Sequence, residues 1–77
     1  MTPAQRKNMR AIVRAVAQSH GLTEADIYVR DRSKNISYAR AVAWRECHLA
    51  GHSYTTIAEL AGWNFQSVAY GIGRAIP

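Results

Sequence analysis

The chain has 77 residues and a formal charge of +5, with ten Lys/Arg against five Asp/Glu. That length supports one domain over residues 1–77 with a small core, and an apolar content of 48% excludes a disordered tail. The single cysteine excludes an internal disulfide and a four-cysteine zinc site, no stretch approaches the ~20 apolar residues of a membrane span, and Arg6, Lys7, Arg10 and Arg14 interrupt any apolar signal core, so a cytoplasmic chain is expected.

Helix signals dominate. Asn-Gly and Asp-Gly turns are lacking, and apolar residues never alternate for long. Thr2-Pro3 predicts the first helix, with Thr2 as cap and Pro3 where a missing N–H does no harm. Met9, Ile12, Val13, Val16 and Ala17 form its apolar stripe, while Arg6, Arg10 and Arg14 share another face. Gly21 ends it. Thr23-Glu24-Ala25-Asp26 has the form of a capping box and opens a short second helix that turns Ile27 and Tyr28 inward. The polar run from Val29 to Asn35 reads as a loop, and Arg30, Arg32 and Lys34 make it basic. A third helix starts at Asn35 or Ser37 and buries Ile36, Ala39, Val42, Ala43, Cys47 and Ala50, with Trp44 also assigned to the core. Gly51 ends it. Ser53 caps a fourth helix holding Ile57, Ala58, Leu60 and Ala61, and Gly62 breaks it. Asn64 caps a fifth, from Phe65 toward Ala75. The expected fold class is all-α, with about five short helices and short connections.

Charge is unevenly distributed. Residues 1–40 hold eight of the ten Lys/Arg and three acids, whereas residues 41–77 hold two of each. All net positive charge thus falls in the first half, which points to an acidic partner, with nucleic acid the commonest. The plainer alternative is a solvated basic face.

Residues 54–68 have the spacing of a helix-turn-helix, with the whole motif over about residues 54–76. Ala58 is small where two helices cross, Gly62 suits a positive φ in the turn, and Val68 plugs the second helix into the core. Such a motif projects the start of its second helix into the major groove of DNA. An ordinary helical hairpin without a ligand would show the same spacing.

Residues 9–76 resemble the C-terminal DNA-binding domain of the bacterial replication initiator DnaA, a Trp-repressor-like helix-turn-helix. The likeness is collinear: Ile12-Val13, Val16-Ala17 and Gly21-Leu22 in the opening helix and turn, Ala25-Asp26-Ile27 in the short helix, Arg30 to Lys34 in the basic loop, and Ala39 to Ala43 in the central helix. Ser53, Ile57 and Gly62 fall on the helix-turn-helix, and Gly62 to Val68 on the signature Gly-Arg-Asp-His-Thr-Thr-Val. The initiator's ATPase domain has no counterpart here, so a free-standing relative from a phage or mobile element is expected.

The resemblance implies roles. The basic loop would send Arg32 into a narrow minor groove, with Lys34 and Arg30 alongside. The base-reading positions at the major groove hold Trp63, Asn64, Phe65, Gln66 and Ser67. Trp63 stands where the signature has arginine and Phe65 where it has histidine, so the initiator's own site should be read poorly. Gln66 and Asn64 can contact adenine and Phe65 a thymine methyl, which predicts a preference for A·T-containing sequence. Arg6, Arg10 and Arg14 contact phosphate or stay solvated. Arg40 reaches phosphate or pairs with an acid, and the Tyr38 hydroxyl is a phosphate donor.

Three alternatives stand beside this reading. Trp63 or Tyr70 packs on the core rather than facing DNA. A Trp63–Phe65 patch binds another protein or a second copy of the chain. His48 and His52 have a helical ligand spacing, but Gly51 between them spoils it for zinc. No metal, cofactor or small-molecule substrate is expected, nor catalysis, since no acid pair or phosphate-cradling glycine loop occurs. The expected function is double-stranded DNA binding that regulates transcription or replication. A module this small makes few base contacts, which points to a dimer or a tandem site.

Overall fold

Local capping decides where the helices begin. In the computed structural model, which describes residues 1–31 and 33–75, five helices follow in chain order: α1 (Pro3–Ser19), α2 (Glu24–Tyr28), α3 (Lys34–Leu49), α4 (Tyr54–Ala61) and α5 (Phe65–Ala75). The Thr2 hydroxyl accepts from the Gln5 N–H at 3.1 Å, and Gln5 Oε1 accepts from the Thr2 N–H at 2.9 Å. Pro3 occupies the first position of α1. Thr23 and Asp26 form the same reciprocal pair ahead of α2. Each such cap is worth about 1 kcal/mol.

The start of α3 departs from the sequence expectation. It begins at Lys34 rather than Asn35 or Ser37. The Asp31 carboxylate accepts the Ser33 N–H at 2.7 Å, which turns the chain into the helix early. That bond is also the main reason the Asp31 carboxyl sits below its ordinary value. Lys34 therefore lies in the first helical turn, not in a loop.

Helix α3 is the centre of the domain and packs most extensively on α5 and α1. Ala39, Ala43 and Cys47 are buried along one face, and the Cys47 thiol lies 3.9 Å from the Met9 carbonyl of α1. A second buried face holds Arg40, Ala41 and Trp44 and meets α5. Ala39, Ala43, Cys47 and Trp44 match the sequence expectation, whereas Ile36 and Val42 are only half-buried. Ala50, expected to be buried, is exposed because α3 stops at Leu49. Met9 and Val13 from α1, Ile27 from α2, Ile57 from α4, and Val68 and Ile72 from α5 complete the core. Each large apolar side chain removed from water here contributes about 1.5–3 kcal/mol.

One close approach needs glycine. A Cβ on Gly71 would lie 3.1 Å from Trp44 Cε3 and 3.3 Å from Cζ3. The bare α-carbon lets α5 settle directly on the Trp44 ring.

Candidate nucleic-acid interface

The turn between α4 and α5 is built as its residues predict. Ser53 caps α4 by accepting the Thr56 N–H at 3.1 Å. Gly62 adopts φ +71 and ψ +26, the left-handed conformation that glycine reaches without Cβ strain. Asn64 Oδ1 accepts the Ser67 N–H at 2.7 Å and starts α5. Ile57 and Val68, 1% and 0% exposed, fasten the two helices to the core.

This arrangement leaves Asn64, Phe65 and Gln66 exposed at the N-terminal end of α5, with Ser67 half-buried beside them. They are not equivalent. Asn64 spends its carbonyl oxygen on the cap, so its side chain offers chiefly the amide NH2. Phe65 leans on Tyr54, ring centroids 5.7 Å apart, and Tyr54 leans on His48 at 4.5 Å. Tyr54 thus braces the exposed Phe65 ring, a role its sequence position did not announce.

Trp63 corrects the expectation of a base-reading residue. Its ring meets Trp44 edge-on at 5.2 Å, and its Nε1–H donates to the Tyr28 carbonyl at 3.0 Å. The guanidinium carbons of Arg30 and Arg40 lie 4.4 and 4.5 Å from its ring centroid. An indole with its N–H satisfied and two guanidiniums against it stabilises the domain rather than reaching into a groove.

Arg40 is corrected in the same way. It is 5% exposed and donates to the backbone carbonyls of Ile27 at 2.8 Å, Asp31 at 3.1 Å, and Val29. Burial, with the nearby Arg30 charge, pulls its pKa down, and Asp31 opposes this. With its Nε and Nη2 committed to three carbonyls and the residue 5% exposed, Arg40 belongs to the loop's scaffold.

The basic loop lies beside the helix-turn-helix. Arg30 donates to the Gly62 carbonyl at 3.1 Å while resting on Trp63. Lys34 is exposed at the start of α3, where the helix dipole adds to its charge. Arg32, the expected minor-groove residue, lies outside the described residues. Tyr38 is exposed, and its ring touches His20 edge-on at 5.9 Å.

On α1 the arginines divide. Arg10 and Arg14 both pair with Glu24, at 3.0 and 3.4 Å, although each side chain is more than half exposed. The hydrogen bond from Arg10 is the chief cause of a lowered Glu24 pKa, with Tyr28 and Arg14 assisting. Exposed pairs of this kind contribute little to stability. Arg6 and Lys7 are exposed and have no ion pair among the described residues. The partner of Arg10 and Arg14 was not legible locally, because it lies on another helix ten or more positions away.

No three His, Cys, Asp or Glu side chains converge as a metal site among the described residues. His48 Nδ1–H donates to the His52 carbonyl, and His52 Nε2 lies 2.8 Å from Asn8 Oδ1. Burial pushes the Cys47 thiol up to about 12. No helix among the described residues is long and apolar enough to cross a membrane.

Fold and exposed surface together define a small helical domain built around a helix-turn-helix, with a basic loop held against the turn. The family described as the bacterial DnaA protein helix-turn-helix matches residues 9–74, and the chain belongs to that family. It is a DNA-binding family. Neither the curated proteins nor the solved structures give a match.

Proposed function

We propose that this domain binds double-stranded DNA in a sequence-specific way and regulates transcription or replication by occupying a site. Helix α5 enters the major groove, with Phe65 and Gln66 as the principal readers, Ser67 beside them, and Asn64 contributing its amide N–H. Arg32 enters the neighbouring minor groove, with Lys34 and Arg30 flanking it. Arg6 and the Tyr38 hydroxyl meet phosphates, and Arg10 and Arg14 can do so when they exchange Glu24 for the backbone. The role is binding without chemistry, in the cytoplasm, and a dimer or tandem site extends the footprint.

The observation that carries this reading is the bridge from Arg30 to Gly62 and Trp63. It supports simultaneous engagement of two adjacent grooves, because it keeps the basic loop at a fixed distance from the recognition helix. Gln66 and Phe65 favour adenine and a thymine methyl, so an A·T-containing site is expected. The protein-binding alternative through a Trp63–Phe65 patch loses support, since Trp63 is committed to Trp44 and the Tyr28 carbonyl.

Selection from a randomised duplex pool at near-physiological salt tests the proposal. A recovered motif containing A·T pairs supports it. Retention without a motif would overturn sequence specificity, and no retention would overturn DNA binding.

A further inference from the structure

A cleft of about 440 Å³ lies between α3 and α5, beside the exposed run Asn64–Phe65–Gln66 and sharing Ser67 with the expected readers. Arg30, Arg40 and Arg74 line it, and so do the hydroxyl-bearing Ser37 and Ser67. Among the described residues, none of its lining side chains is a carboxylate. Three guanidiniums around a concavity with no carboxylate in its described lining concentrate positive potential inside it. The floor is apolar: Trp44 and Gly71 meet there at close range.

Aromatic rings hold the two outer cations. Arg30 rests on Trp63 at 4.4 Å, and Arg74 lies over Tyr70 at 5.8 Å. Stacked this way, a guanidinium keeps N–H groups free along its edge for an anion. Arg40 commits its Nε and Nη2 to backbone carbonyls, so it adds mainly charge to the cleft. Arg30 and Arg74 therefore supply charged donors, and Ser37 and Ser67 supply hydroxyls that suit phosphate oxygens.

We infer that this cleft is a phosphate seat. On the DNA reading, on which this inference rests, it takes the backbone phosphate of the strand between the groove entered by the basic loop and the groove entered by α5. Arg74 and Tyr70, far along the sequence from the basic half of the chain, then join the interface together with Ser37. A free anion of the same chemistry is the other source such a seat would accept.

The test is duplex binding by fluorescence anisotropy at several salt concentrations, for the wild type, Arg74→Gln and Ser37→Ala. Arg74 is exposed near the end of α5, so its replacement leaves the fold intact. Arg74→Gln should weaken binding about tenfold at low salt and flatten the salt dependence by about one unit of slope. It should leave the selected sequence motif unchanged, because a phosphate contact carries no sequence information. Unchanged affinity and slope in both variants, with a wild type that binds duplex, would overturn the seat and leave the DNA reading standing. If the wild type binds no duplex, the DNA reading fails, and the seat is decided by inorganic phosphate alone. Millimolar phosphate, but not chloride at equal ionic strength, should then shift the Trp63 indole N–H resonance in the wild type and not in Arg74→Gln. Absence of that shift would overturn the seat as well.

Discussion

Replacing Arg40 separates a structural arginine from a phosphate-binding one. Its guanidinium donates to the carbonyls of Ile27, Val29 and Asp31, and only 5% of the residue is exposed. Arg40→Ala orphans all three acceptors. Val29 and Asp31 are exposed residues whose carbonyls water can recover, whereas Ile27 is fully buried. One unsatisfied buried acceptor costs about 1–3 kcal/mol, and the two recoverable bonds add about 1 kcal/mol together, with further loss from the contact to Trp63. The expected total is about 3 kcal/mol. A domain of this size has on the order of 4–11 kcal/mol of stability, and each kcal/mol moves its Tm by about 4–8 °C. Arg40→Ala should therefore lower Tm by roughly 12–24 °C. Arg40→Lys sharpens the test. It keeps the charge, but one ammonium cannot span three carbonyls as a planar fork does, so about 2 kcal/mol should still be lost. Urea denaturation followed by circular dichroism reads both values. The reasoning is refuted if Arg40→Lys matches the wild type, or if Arg40→Ala loses less than about 1 kcal/mol.

Other outcomes follow from the same contacts. Gly71→Ala gains about 1 kcal/mol of helix propensity but forces its Cβ within 3.1 Å of a Trp44 ring that Trp63 backs, so a net loss of about 1 kcal/mol is expected in urea midpoints. Glu24 is held below its ordinary value of 4.5, so its stabilising contribution is complete above that range and disappears as pH falls through the folded value. The stability difference between wild type and Glu24→Gln should be present near neutral pH and close in acid, as thermal melts across that range would record. Phe65→Ala removes a ring that is 51% exposed, so stability should change by less than about 1 kcal/mol while the motif recovered by duplex selection changes.

Much of the fold was legible because its signals are local. The pairs Thr2-Pro3 and Thr23-Asp26, the caps Ser53 and Asn64, and the left-handed Gly62 each act within a few residues of chain. Spacing alone therefore placed all five helices. The candidate site was legible only in outline. The exposed run Asn64–Phe65–Gln66 emerged where expected, but the neighbouring Trp63 turned inward. Its partners, Tyr28, Arg30, Arg40 and Trp44, come from the second and third helices and the loop between them, and no local spacing reveals them. The carbonyl partners of Arg40 are hidden from sequence for a related reason. Composition marks an arginine as surface, yet the loop's inward carbonyls demand a buried donor, and those carbonyls leave no trace in side-chain identity. The early start of α3 depended on one Asp31–Ser33 bond, which sets a boundary too fine for periodicity.

The way Arg40 grips the loop bears on how the family member can change over generations. It binds the chain of residues 27–31 by carbonyl oxygens, which every amino acid supplies. Substitution of the loop's outward side chains therefore leaves the grip intact. Val29 is free to drift while the loop keeps its course, and a new contact to a partner can arise there without loosening the domain. The cost of that freedom falls on one position. The loop tolerates variation because Arg40 does not.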